Sequence, residues 1–172
     1  MNRRDFETLL LTLESTPALL ARAAATLPPA QHRCRPSGGG FSLVENVWHL
    51  ADLEREGYGL RIRRILAEDT PALLNFAGDR IARERCYNEK DLSKGLAAFA
   101  RARTQNIEVL RRLGSSEWKR AGALEGVGRV TLEDLPRMMA EHDRSHGDDI
   151  ATLLAEARGE RLCRPRTSSA VA

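Results

Sequence analysis

Four stretches of this chain carry apolar residues at helical spacing, and each is bounded by residues that start or stop a helix. In the first, Phe6, Leu9, Leu10, Leu13, Leu19 and Leu20 recur between about residues 4 and 27, a spacing that stacks side chains on one face of an α-helix. Pro17 interrupts it. Either the helix kinks there, or a second segment begins with Ser15 or Thr16 as its cap and Pro17 in its first turn. Pro28-Pro29 ends the run, and a loop rich in Pro, Ser and Gly follows over residues 30–40. Ser42-Leu43-Val44-Glu45 then reads as a capping box, the serine covering a free amide and the glutamate reaching back. The helix it opens extends to about Ala67 and holds Gly57 and Gly59, each costing ~1 kcal/mol relative to alanine. Glycines there point to a close helix contact, room for a ligand, or a local kink.

Residues 68–90 form a long connection with Pro71, a turn-like Ala77-Gly78-Asp79, and Tyr87-Asn88. A connection of this length lets the next helix start at either end of a bundle. The third helix is predicted from about Asp91 to Leu113, with Leu92, Leu96, Phe99, Ile107 and Leu110 as its apolar stripe and Gly114 as its stop. Trp118 and a Gly-rich turn through Gly126 and Gly128 are predicted to have little regular structure. Thr131 or Asp134 caps the fourth helix, which ends near Gly159; Pro136 is tolerated only in the first turn, which favours the later start. The expected fold is therefore all-α: a four-helix bundle over residues 1–160, with a flexible tail over residues 161–172.

Composition supports this. The 172 residues suffice for one core, and aromatics make up only 5 %, so the β-branched and aromatic runs of a sheet are missing. A net charge of +3 comes from basic residues scattered along the helices, without the dense stripe a nucleic-acid partner needs. Cys34, Cys86 and Cys163 are widely spaced with no Cys-x-x-Cys pair, which predicts reduced thiols. The N-terminus lacks a long apolar segment, and Leu9–Leu13 is too short to span a membrane. A cytoplasmic location is the expectation.

Chemistry concentrates in Glu141-His142-Asp143-Arg144-Ser145-His146. Histidines four apart on a helix face the same way, one turn from each other, and two such rings can grip one metal ion. His49, beside Trp48 in the second helix, is the candidate third ligand. Bundle cores are where side chains from facing helices build metal sites, and three protein ligands with an open position is the usual catalytic arrangement. Glu45 and Asp52, four before and three after His49, share its face, and Asp149 follows His146 by three. Such carboxylates could accept the second N–H of a ligating histidine or act as a base. Each could equally be a solvated helix charge. His32, near Cys34, reads as a surface residue, because nothing nearby completes a coordination set.

The segment Phe41 to Glu54, with its His49-Leu50-Ala51-Asp52-Leu53-Glu54, and the downstream His142-Asp143-Arg144-Ser145-His146 resemble the DinB-like superfamily over roughly residues 5–155. That resemblance implies a four-helix bundle, often a homodimer, in which His49, His142 and His146 bind a divalent metal such as zinc or nickel. It also implies a small-molecule substrate and, from characterised relatives, a thiol-dependent transferase or isomerase that brings a low-molecular-weight thiol to the metal. Two other readings stand beside this one: a hydrolase that activates water at the open position, and a non-catalytic bundle whose metal site is structural or sensory.

Overall fold

The computed structural model describes residues 3–159 and residue 162. The first helix, α1, spans Arg3–Thr26 as a single element with Pro17 inside it. Proline has no N–H, so the carbonyl four residues back is left without its helical partner. That carbonyl belongs to Leu13, and it accepts instead from Arg103 Nη1 of a neighbouring helix at 3.0 Å. Pro17 thus costs α1 one internal bond and opens a socket for a buried arginine.

The second helix is a composite of α2 (Leu43–Asp52), a π-helical segment (Leu53–Tyr58) and α3 (Gly59–Ala67). Its capping box forms as the sequence predicts: Ser42 Oγ accepts from the Glu45 amide at 3.2 Å and Glu45 Oε2 accepts from the Ser42 amide at 2.9 Å. The π segment ends at Gly59, whose N–H donates to the Glu54 carbonyl. A side chain at Gly59 would stand 2.9 Å from Asn106 Oδ1 and 3.0 Å from the Glu54 carbonyl oxygen. Without one, Asn106 reaches in and donates to both the Glu54 carbonyl (2.9 Å) and its carboxylate (2.8 Å). Of the three meanings open to these glycines, Gly59 serves close helix contact.

The connection over residues 68–90 contains a two-residue strand β1 (Ala72–Leu73), a short helix α4 (Gly78–Glu84) and a 3-10 turn (Tyr87–Glu89). The expected turn at Ala77-Gly78-Asp79 is the start of α4. Next comes α5 (Leu92–Arg111), whose N-cap Asp91 accepts from the Lys94 amide at 2.8 Å. The stretch expected to lack regular structure is a hairpin, β2 (Ala121–Leu124) and β3 (Gly128–Thr131), paired antiparallel with Ala121 opposite Thr131 and Leu124 opposite Gly128. β1 adds to β2 in parallel. Its strands are too short and too rich in Ala and Gly to show alternation, but Leu124 and Val130 are buried. The last helix, α6 (Leu135–Arg158), starts at the later of the two predicted positions, with Pro136 in its first turn.

α1 and α2 each pack against both α5 and α6, which closes a four-helix bundle. Its apolar interior forms two clusters, one including Leu13, Ile62, Ile107 and Met139, the other Leu20, Leu50, Phe99 and Ile150. Between them runs a polar layer: Thr16 lies between Leu13 and Leu20, Arg103 between Phe99 and Ile107, and His142, Asp143 and His146 between Met139 and Ile150. Arg103 donates to Glu54 (2.9 Å) and to both oxygens of Asp143 (2.6 and 2.9 Å), and Thr16 donates to Asp143 (2.7 Å).

Two sequence expectations are corrected. His32 is half-buried, and its Nε2–H points at the Ala24 and Leu27 carbonyls (3.1 and 2.8 Å), where it helps close the C-terminus of α1. Cys34 is disulfide-bonded, whereas Cys86 is free and exposed. The tail predicted over residues 161–172 lies outside the described residues except for Leu162, which is buried against the second cluster. Among the described residues, no helix is long and apolar enough to cross a membrane.

Candidate metal centre

His49 projects from α2, and His142 and His146 project from successive turns of α6. Their ligand nitrogens all lie within 4.8 Å of one another. His49 Nε2 and His142 Nε2 are 3.3 Å apart. Two nitrogens bound to one tetrahedral zinc at about 2.0–2.1 Å stand about 3.3–3.4 Å from each other, so this pair is already at ligand separation.

His146 is oriented by a residue that sequence reasoning passed over. Asn46, one turn before His49, donates its amide N–H bonds to the Phe41 and Ser42 carbonyls at 3.2 and 3.0 Å. This fixes the amide, so its Oδ1 must be the atom that faces His146 Nδ1, at 2.6 Å. Nδ1 is therefore the protonated nitrogen, and the Nε2 lone pair is left for a metal. Asparagine within a helix carries no signal of its own; its position on the His49 face was the available clue.

The surroundings keep the rings neutral. Burial, reinforced by the other histidines, pushes His49 down to about 3, and burial with His146 beside it pushes His142 to about 4. His146 is lowered as well, by burial. Aromatic side chains supply that environment: Phe41 stacks on His146 with centroids 6.5 Å apart, and Phe76 stands edge-on to His49 at 5.8 Å. Gly78, at the start of α4, packs so closely over His49 that a side chain there would sit 2.8 Å from its Nδ1. Neutral imidazole is the form that binds metal. Nδ1 of His49 and Nδ1 of His142 are buried without a hydrogen-bond partner among the described residues. The donor set, its separation and its protonation state fit a divalent ion such as zinc.

The carboxylates singled out in the sequence sit nearby but are engaged elsewhere. Glu45 belongs to the capping box and accepts from Arg35 at 2.5 and 2.9 Å. Burial raises its pKa, but Arg35 and Ser42 outweigh that and leave it lowered. Asp52 accepts from Tyr87 Oη at 2.6 Å and from Arg55 at 2.9 Å, and Arg85 pairs with it too. Neither carboxylate hydrogen-bonds a histidine. Asp149 comes closest, its Oδ2 3.6 Å from His146 Nδ1. A cleft of about 440 Å³ opens beside His146, lined by Phe41, Glu45, Asp79, Arg83 and Asp149 among others.

No curated protein matches this chain. Among solved structures it is similar to YfiT from Bacillus subtilis, described as a probable metal-dependent hydrolase with an unusual four-helix bundle topology. The likeness has a TM-score of 0.83 and 24 % identity, and covers 93 % of this chain and 90 % of that one. The sequence profile of the DinB superfamily matches residues 12–150, a span that takes in all three histidines, Asn46 and the whole polar layer. This chain belongs to the DinB superfamily.

Proposed function

We propose that the protein is a metal-dependent hydrolase in which His49, His142 and His146 hold one zinc or nickel ion. The observation that carries this reading is the convergence of three neutral imidazole nitrogens within 4.8 Å, one with its tautomer fixed by Asn46. A divalent ion held there would supply Lewis-acid chemistry, polarising a substrate oxygen and activating water near neutral pH.

The remaining work falls to this chain. Three neutral ligands leave the full charge of the ion available to oppose an anion. Phe41 and Phe76 pack against His146 and His49 and make their surroundings less polar. Asp149 stands half-exposed at the cleft wall beside His146, whereas Glu45 and Asp52 are held by arginines. The hydrolase reading is also supported by the description of YfiT, the solved structure this chain resembles.

The test is to assay metal-loaded protein against a panel of esters, amides and phosphoesters, with and without added small thiols. Turnover without thiol, lost in His142→Ala, is the expected result. Turnover that requires a thiol would overturn hydrolysis in favour of the thiol-dependent transfer that the family resemblance implies.

A further inference from the structure

Among the described residues two arginines are buried, Arg61 at 5 % and Arg103 at 1 % relative exposure, and they are served very differently. Arg103 meets two carboxylates and the carbonyl that Pro17 leaves open. Arg61 has no carboxylate partner. Its Nη2 donates to the Leu74 carbonyl at 3.2 Å, its guanidinium lies 5.5 Å from the Tyr58 ring centroid, and its Nε is buried with no partner. A buried charge is tolerated when it is paired and hydrogen-bonded. Here one donor is satisfied and the counter-ion is missing.

The surrounding charges do not supply one. Glu56 is taken by Arg55 at 2.7 Å and by Arg85 at 2.8 Å. Glu68 is taken by both arms of Arg64 at 2.6 Å. The titratable groups beside it are Tyr58, whose phenol burial holds protonated, and His142, which burial and the neighbouring charges keep neutral. Arg61 lies in the wall of a cleft of about 460 Å³ whose lining includes Arg63, Leu60, Leu74, Asn75 and Phe76, a size suited to a small molecule. Leu60 and Leu74 are exposed at its rim, at 44 % and 78 %. Phe76 has its other contact on His49, so this cleft borders the histidine cluster.

We propose that Arg61 binds the anionic group, a carboxylate or a phosphate, of a small molecule whose apolar body lies against Leu60, Leu74 and Phe76. The anion site stands on its own geometry; that its occupant is the substrate rests on the hydrolase reading. A planar guanidinium fork matches the geometry of either oxyanion.

The test is a nuclear magnetic resonance titration of the purified, isotope-labelled protein with inorganic phosphate and, separately, with succinate. Arg61→Lys assigns the buried arginine resonances. The expected result is a saturable shift of the Arg61 Nε–H signal with at least one probe while Arg103 stays still, and the probe that acts identifies the group. Arg61→Met should weaken binding by about tenfold or more, with circular dichroism to check the fold. An Arg61 signal that moves with neither probe would overturn the proposal, as would binding undiminished in a folded Arg61→Met. Metal content is read separately, so failure of the metal reading would leave this result interpretable.

Discussion

Asn46 Oδ1 accepts a hydrogen bond from His146 Nδ1 at 2.6 Å, and the same amide is anchored by two backbone carbonyls at the start of its own helix. The capping turn of α2 is thereby tied to the tautomer of a ligand on α6. Asn46→Ala removes that tie while sparing all three histidines. Groups that orient a metal-bound histidine are typically worth about 10–100-fold in metal affinity, and a loss in that range is expected. Competition with a chromophoric chelator measures it; unchanged affinity would show that His146 orients itself.

Gly78 tests the opposite face of the site. A methyl group there would stand 2.8 Å from His49 Nδ1 and nearer still to Cε1, so the ring must turn or α4 must lift. Gly78→Ala is expected to weaken metal binding with little effect on helix content, as read by the same competition assay and by circular dichroism.

The polar layer depends on Arg103 being present. It neutralises Glu54 and Asp143, and all three are almost wholly buried. Arg103→Met leaves two carboxylates in the interior without their cation and frees the Leu13 carbonyl again. Breaking a buried pair from one side costs about 3–5 kcal/mol, and urea denaturation should show a loss of that order. A change below about 1 kcal/mol would mean that the layer is open to water in solution.

Without metal, the histidines make stability depend on pH. Unfolded, each imidazole protonates near its ordinary value of 6.5, whereas folded His49 and His142 resist until about 3 and about 4. Between these values the unfolded chain binds more protons, so stability rises with pH. The contribution is fully present above about pH 6.5 and drains away as pH falls to about 4 for His142 and about 3 for His49. Denaturation of chelator-treated protein across that window should follow this trend, and a His49→Ala variant should show a shallower one.

The four helices were legible because their signals are local. Ser42 and Glu45 declare a cap, Pro136 fixes the start of α6, and apolar residues mark each buried face. The histidine pair was legible because helical spacing alone places His142 beside His146. The hairpin was not, since Ala121-Gly122-Ala123-Leu124 shows neither β-branched residues nor clear alternation. Nor was the polar layer: Arg103, Glu54, Asp143 and the Leu13 carbonyl lie on different helices, and only folding makes them partners. Arg61 reads as one more exposed arginine on a helix until its burial is seen.

The most direct measurement is metal content by mass spectrometry on untagged protein, beside His49→Ala and His142→Ala. A three-histidine centre predicts about one divalent ion per chain, lost in both variants. Wild-type protein that stays metal-free after zinc, nickel and manganese are supplied would contradict the account.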